Sequence, residues 1–222
     1  MAKKRNIIVG QSGGPTAVIN SSLAGVYKTA RERGFHKVYG MLHGIQGFLD
    51  EQYVDLSTQI HSDMDIELLK RTPSAFLGSC RYKLPEIHEN TEIYEKIFSI
   101  LDKLEIEAFI YIGGNDSMDT IKKLSDYAIV KGHDQKFLGV PKTIDNDLAL
   151  TDHTPGFGSA AKYIAASTKE IIRDALGLTY NDRSMITVIE IMGRNAGWLT
   201  GATALAKTEE CEGPDLIYLP EV

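Results

Sequence analysis

The sequence has few cysteines, no long apolar run and no excess of positive charge, and each absence excludes a class of protein. Its two cysteines, Cys80 and Cys211, lack metal-ligand spacing, so we predict free thiols and a cytoplasmic protein. No run approaches the roughly 18 apolar residues of a membrane span, and the N-terminal apolar stretch is too short for a signal peptide. The net charge of −6 argues against a nucleic-acid partner.

Short apolar segments alternate along the chain with amphipathic helical patterns. We predict strands at 6–10, 37–42, 108–114, 136–140, 184–193 and 215–220. We predict helices over 17–33, 91–104, 116–130, 160–176 and 196–206. This alternation predicts an α/β fold, with a doubly wound, mostly parallel sheet and helices on both faces. Ligands of such sheets bind at the carboxyl ends of the strands, so the loops there are the candidate sites. The irregular stretch 57–85 is a candidate binding loop or lid.

The first candidate loop is "GQSGGPTAVINSS", between a strand and a helix. Gly13 and Gly14 have no Cβ, so their backbone N–H groups can approach a phosphate closely. Thr16 is a candidate cap for the helix that follows. A tight turn that simply needs glycine explains the same residues.

The second loop, "GGNDS", joins another strand to a helix and carries Asp116 near the helix start. Helix N-termini attract anions, so Asp116 or Ser117 is a candidate N-cap with only a structural role. Alternatively, the carboxylate stands where part of a longer polyphosphate would lie and excludes it by charge repulsion.

The third loop, "PKTIDND", brings acids and a base together after a strand. Asp145, Asp147 and Asp152 fall within eight residues, and acids this close can hold a divalent metal or act as a general base. Lys142 supplies a point positive charge that suits phosphate. A polar turn built on Asn146 and Asp147 is the structural alternative.

The fourth loop, "EIMGRNAGWLTGATALA", breaks its strand at Gly193. Arg194 follows, and a guanidinium there can bind an anion bidentately or form a surface ion pair. For Trp198 we expect packing in the core.

These four loops together resemble the phosphofructokinase family. "SGGP", "GGNDS", "PKTIDND" and "MGRNAGWLT" occur in the family's order, "FLGSCRY" matches a further segment, and the resemblance runs from about Ile7 to Val222. It implies transfer of a phosphoryl group, with Mg²⁺, to the 1-hydroxyl of fructose 6-phosphate, giving fructose 1,6-bisphosphate in glycolysis. For the full-length form we also expect a homo-oligomer, with no membrane or nucleic-acid partner.

The resemblance assigns the acceptor side of the reaction to two loops. Asp145 matches the general base that takes the proton from the sugar hydroxyl, and Thr143 and Ile144 match its neighbours in the sugar-binding stretch. The loop that holds the sugar phosphate is matched by Met192, Gly193 and Arg194.

The resemblance also assigns donor and metal positions. Gly13 and Gly14 match the donor-binding turn, and Arg81 matches an arginine on the donor phosphates. Asp147 supports the metal and the reacting phosphate. Asn115 stands where the family usually has a magnesium-associated acid, so any metal contact there lacks a charge.

Asp116 and Lys142 indicate which phosphoryl donor the enzyme uses. ATP-using relatives have glycine at both positions, whereas the pyrophosphate-using branch has an acid that mimics the nucleotide α-phosphate and a lysine that neutralises the inorganic leaving group. With Asp145, these two residues form the predicted catalytic set, and we predict a pyrophosphate-dependent enzyme.

The resemblance covers the N-terminal portion of the family only. We predict one donor-binding and catalytic domain over 1–222, without the family's second, sugar-phosphate-binding domain, and little activity for this chain alone. The alternatives are an ATP-dependent 6-phosphofructokinase and a truncated, non-catalytic relative that binds phosphate or nucleotide. Diacylglycerol and NAD kinases share a related glycine-acid loop, but "PKTIDND" and "MGR" argue against them.

Overall fold

The computed structural model describes residues 6–178 and 185–221. By their internal contacts the chain divides into two units, Met1–Lys142 and Thr143–Val222. No helix of the described residues combines the length and the apolar character needed to cross a membrane.

A sheet of five strands forms the centre of the first unit. The strands are β1 (Asn6–Gln11), β2 (Val38–Met41), β3 (Tyr53–Asp55), β4 (Ile106–Gly113) and β5 (Lys136–Pro141). Their order in the sheet is β3-β2-β1-β4-β5. All neighbouring strands pair in parallel except β3, which runs antiparallel to β2. The predicted mostly parallel sheet is therefore confirmed.

Helices cover both faces of this sheet. They are α1 (Ile19–Glu32), α2 (Gly44–Leu49), α3 (Asp63–Arg71), α4 (Thr91–Lys103) and α5 (Asn115–Lys131). Ile7 and Val9 of β1 pack in the core under α1 and α3, whereas Ile8 packs in the core under α4 and α5. Successive side chains of a strand point to opposite faces, so β1 is buried on both sides. The doubly wound arrangement is confirmed.

The register of the strands brings three loops to one edge of the sheet. Gln11 of β1 lies beside Ile112 of β4, and Gly113 of β4 lies beside Pro141 of β5. Because the strands are parallel, the chain leaves all three at the same edge. The loops after β1, β4 and β5 are those that carry the predicted donor residues.

The second unit contains one long helix and a short helical turn. The long helix α6 (Phe157–Gly177) was predicted over 160–176 and is confirmed. The helix predicted over 196–206 is only partly right, because α7 (Trp198–Gly201) begins later and continues as the 3₁₀ helix Ala202–Ala206. Phe157, Leu199 and small residues form a small core between these helices.

Two predicted strands of the second unit are wrong. The described part of 184–193 and the whole of 215–220 carry no strand, although both are rich in β-branched and aromatic residues. Ser184 itself lies outside the described residues. A strand requires a neighbouring strand that accepts and donates its backbone hydrogen bonds. Within the described part of the chain, no strand pairs with either of these segments.

Candidate functional site

The glycine turn after β1 is held by residues distant in sequence. Gly13 has φ of 76°, in the region that favours glycine. Ser79 Oγ donates to the Gly13 carbonyl at 2.5 Å, and Lys142 Nζ donates to the Gly14 carbonyl at 2.6 Å. The Gly13 N–H donates to the Cys80 carbonyl at 3.1 Å. Both glycine carbonyls are thus bound to protein donors, which fixes the turn and reduces their repulsion of an approaching anion.

Two cations adjoin this turn. A Cβ at Gly13 would lie 3.4 Å from Lys142 Nζ, and a Cβ at Gly14 would lie 4.0 Å from an Arg81 terminal nitrogen. Lys142 is buried, with 5% of its surface exposed, whereas Arg81 is exposed. The structure therefore brings Gly13, Gly14, Arg81 and Lys142 together, as a site for a phosphate chain would require.

The N-terminus of α5 lies at the same edge. The Lys142 N–H donates to the Gly113 carbonyl at 3.0 Å, and the Gly114 nitrogen lies 4.0 Å from the position of a Cβ on Gly13. Asn115 and Asp116 occupy the exposed first turn of α5, where free N–H groups and the helix dipole favour negative charge. The Asp116 carboxylate makes no hydrogen bond or ion pair with any other described residue, so it is available to affect a ligand.

Three structural expectations for these loops are wrong. Gly114, not Asp116 or Ser117, is the N-cap of α5, because the helix begins at the first residue after the glycine pair. Thr16 does not cap α1, whose N-cap is Val18, and the buried Thr16 hydroxyl has no hydrogen-bond partner among the described residues. Trp198 is not in the core, since 58% of its surface is exposed.

In the second unit, the loop with Asp145 is ordered by its own polar residues. The Asp145 N–H donates to Thr143 Oγ1 at 3.1 Å, and the Thr143 carbonyl accepts from Thr154 Oγ1 at 2.9 Å. Asn146, with φ of 57°, accepts from the Thr154 N–H at 2.8 Å. The polar-turn alternative therefore accounts for Asn146, while Asp145 is half-buried and Asp147 is exposed.

The loop Met192–Arg194 lies in the same unit. Gly193 has φ of 124°, and a Cβ there would lie 2.4 Å from the Ala196 carbonyl oxygen, so the position requires glycine. Met192 and Arg194 are exposed, and the Arg194 guanidinium makes no ion pair with another described residue. The expected surface ion pair of Arg194 is thus not formed within this part of the chain.

The described residues offer few clustered side chains that could bind a metal ion. The described residues contain no group of three or more His, Cys, Asp or Glu side chains arranged to hold a metal ion. Asn115 in the first unit and Asp147 in the second, the predicted magnesium ligands, are both exposed. Mg²⁺ commonly binds one or two protein oxygens together with substrate phosphates, and the side-chain oxygen of either residue alone suits that mode.

Two contacting residues were missed in the sequence, Ser79 at the donor turn and Lys123 on α5. Ser79 lies in "FLGSCRY" and binds the Gly13 carbonyl. Lys123 forms ion pairs of 2.8 Å with Asp119 and with Glu86, and its ammonium donates to the Leu84 carbonyl at 3.0 Å. The four-residue spacing of Asp119 and Lys123 on a helix was the available signal for this contact.

A family model for phosphofructokinase matches residues 6–222, nearly the whole chain. The chain belongs to the phosphofructokinase family. It is 44% identical over 216 residues to the pyrophosphate–fructose 6-phosphate 1-phosphotransferase of Xanthomonas campestris, covering 97% of this chain and 51% of that protein. It is 34% identical over 221 residues to an ATP-dependent 6-phosphofructokinase of Vibrio cholerae, covering 61% of that protein.

The fold of a solved phosphofructokinase agrees with this membership. The pyrophosphate-dependent phosphofructokinase of Nitrosospira multiformis superimposes with a TM-score of 0.88 at 42% identity, covering 98% of this chain and 53% of that one. The chain thus spans about half the length of the pyrophosphate-named relatives it matches. The predicted family and fold class are confirmed.

Proposed function

We propose that this protein transfers a phosphoryl group from pyrophosphate to the 1-hydroxyl of fructose 6-phosphate, giving fructose 1,6-bisphosphate. The observation that carries the proposal is the position of Lys142, whose ammonium binds the Gly14 carbonyl beside the turn that resembles a donor site. The names of the relatives from Xanthomonas campestris and Nitrosospira multiformis, at 44% and 42% identity against 34% for the ATP-dependent relative, support the same donor.

Charge explains the choice of donor in this proposal. Phosphoryl transfer depends on positioning and on neutralising the charge of the transferring and leaving groups. Lys142 and Arg81 supply two positive charges beside the glycine turn, which suits a short, highly charged inorganic donor. Asp116 adds a negative charge at the start of α5, where the next phosphate of a nucleotide would lie. That phosphate is repelled, so ATP is excluded.

The acceptor side of the proposal rests on the second unit. Asp145 accepts the proton of the sugar 1-hydroxyl, Thr143 and Ile144 line the sugar, and Met192, Gly193 and Arg194 bind its phosphate. The hydrogen bond from the Asp145 N–H to Thr143 Oγ1 supports the role of Asp145, because a general base must be held in a fixed position. Mg²⁺ held by Asn115, Asp147 and the donor phosphates would neutralise negative charge on the donor.

Further properties belong to the same proposal. The domain is a donor-binding and catalytic domain, and the working enzyme contains the family's second, sugar-phosphate-binding domain. We place the reaction in the cytoplasm, because two cysteines without a disulfide suit a reducing compartment. The full-length protein assembles as a homo-oligomer.

Titration calorimetry on the purified chain tests the donor. With Mg²⁺ present, pyrophosphate should bind and ATP should not. The double substitution Asp116→Gly with Lys142→Gly should reverse this preference, because it removes both the repelling carboxylate and the attracting ammonium. Asp126→Asn, at an exposed acid of the same helix, is the control and should leave both affinities unchanged. Binding of ATP by the unsubstituted chain as tightly as pyrophosphate would refute the proposal.

A further inference from the structure

Two buried amide side chains flank the glycine turn. Gln11 ends β1 and is fully buried, and Asn20, the second residue of α1, is almost fully buried. Gln11 Nε2 donates to Asn20 Oδ1 at 2.9 Å and to the Ile19 carbonyl at 3.1 Å. The two amides therefore join the ends of the loop that contains Gly13 and Gly14.

The same two amides hold a third segment against that loop. Gln11 Oε1 accepts from the Leu77 N–H at 2.9 Å, and Asn20 Oδ1 accepts from the Phe76 N–H at 2.9 Å. Asn20 Nδ2 donates to the Thr72 carbonyl at 2.8 Å. Burying an amide costs free energy unless its polar atoms are paired, and every polar atom of these two side chains has a partner.

The segment held in this way leads to a predicted donor residue. Residues 72–81 contain no helix or strand, so regular backbone hydrogen bonds do not fix their position. Within them, Ser79 Oγ donates to the Gly13 carbonyl. The segment ends at Arg81, whose terminal nitrogen lies 4.0 Å from the position of a Cβ on Gly14. The amide contacts therefore fix the backbone shortly before Arg81.

We propose that Gln11 and Asn20 are positioning residues of the donor site, which place Arg81 beside the glycine turn. This role depends on the proposed function, in which Arg81 neutralises charge on the donor. An apolar pair could fill the same space, but only side-chain donors and acceptors can fix a backbone segment through its N–H and C=O groups. Because its backbone is already held in place, Arg81 loses less conformational freedom when an anion binds, and binding is tighter.

A double-mutant cycle, read by titration calorimetry with pyrophosphate and Mg²⁺, tests this role. Asn20→Ala should lower the affinity for pyrophosphate by about tenfold, because the segment that carries Arg81 loses two of its anchoring bonds. In the Arg81→Ala background the same substitution should change the affinity by less than about twofold, because its effect passes through Arg81. A purely structural role of Asn20 would give the same loss in both backgrounds.

Two further variants support the cycle. Gln11→Met keeps the length of the side chain but removes its bonds to Leu77 and Asn20, and it should reproduce the loss of affinity. Asn6→Ala is the matched control, because Asn6 is also a buried asparagine of the same unit, and it binds the Leu104 carbonyl at the other end of β1. This control should keep the affinity for pyrophosphate. Slow hydrogen exchange in β4 reports that each variant is folded.

The possible outcomes separate the positioning role from the proposed function. Equal losses in the two backgrounds, unchanged affinity in Asn20→Ala and Gln11→Met, or failure of both variants to fold would each refute the positioning role. If the unsubstituted chain binds ATP and not pyrophosphate, the proposed function fails, and the same cycle with ATP decides the positioning role. Binding of neither anion would refute both.

Discussion

At the scale of single residues, Lys123 connects the segment after Arg81 to α5. Its ammonium binds the Leu84 carbonyl and forms ion pairs with Glu86 and Asp119, so one side chain joins residues 84–86 to the helix that begins at Asn115. The hydrogen bonds that the Lys123 ammonium donates to Asp119 and, second, to Glu86 raise the pKa of Lys123. The lysine is therefore charged at neutral pH, and this contact positions the backbone near Arg81.

Substitution of this lysine should weaken both stability and donor binding. Lys123→Met keeps the length of the side chain but removes its hydrogen bonds, and we expect a loss of about 2 kcal/mol in the free energy of unfolding. Pyrophosphate affinity should fall in calorimetry at a temperature where the variant is fully folded. Lys122→Met, at the exposed neighbouring lysine, should change neither. Unchanged pyrophosphate affinity in Lys123→Met would show that the contact is purely structural.

Single residues differ in how well the sequence predicted them. The sequence predicted that Gly13 and Lys142 belong to one donor site, and the structure brings the two residues together. Glycine turns and lysines at strand ends have a chemical meaning that local sequence carries. Trp198 was expected in the core and is exposed, since burial depends on which residues surround a side chain. Ser79 was missed for the same reason, because its partner Gly13 lies 66 residues away.

At the scale of elements, α3 is a helix whose N-terminus is stabilised by capping residues of its own sequence. Ser62 and Asp65 form a reciprocal capping box, in which the Asp65 N–H donates to Ser62 Oγ and the Ser62 N–H donates to the Asp65 carboxylate. The His61 N–H also donates to this carboxylate, and these bonds lower the pKa of Asp65 below its ordinary value of 3.8. The stretch that the sequence left irregular thus contains a well-capped helix.

The capping carboxylate predicts a dependence of stability on pH. A lowered pKa contributes stability that is present above the ordinary value of 3.8 and is lost as the pH falls through the folded-state pKa. Asp65→Asn should therefore lower the urea midpoint at pH 7, and the difference from the unsubstituted chain should shrink as the pH falls below 3.8. Asp63→Asn, in the same turn but outside the capping box, should show a smaller difference. An Asp65→Asn difference independent of pH would contradict this origin.

Some strands and helices were predicted well from their local sequence alone. β1, β4 and α4 were predicted within about three residues at each end, because their apolar periodicity is complete within the segment. The segments 184–193 and 215–220 have equally strong strand composition but are not strands here. Composition indicates that a segment can pair, whereas the presence of a neighbour decides whether it does.

At the scale of the whole molecule, the 222 residues correspond to part of longer relatives. They cover about half of the pyrophosphate-named relatives they match, and in our proposal the working enzyme also contains the family's second, sugar-phosphate-binding domain. Catalysis depends on holding both substrates in register, so half of an acceptor site gives weak binding and slow reaction.

We therefore expect the isolated chain to bind pyrophosphate without turning it over. Calorimetry with pyrophosphate and Mg²⁺ should detect binding, while a coupled assay for fructose 1,6-bisphosphate should stay at background. A version extended with the unmatched half of the Xanthomonas campestris relative is the positive control and should show turnover. Measurable turnover by the 222 residues alone would contradict this expectation.

The contacts that hold the Gly13–Gly14 turn also have a consequence for folding. Ser79 and Lys142 reach the turn across 66 and 128 residues of sequence, so neither contact exists before distant strands have assembled. Contacts of such long range form slowly, because the chain must first lose the entropy of closing a large loop. A nascent or partly unfolded chain with β1 and α1 already in place therefore lacks the arrangement of Gly14, Ser79 and Lys142 that we propose for the donor site.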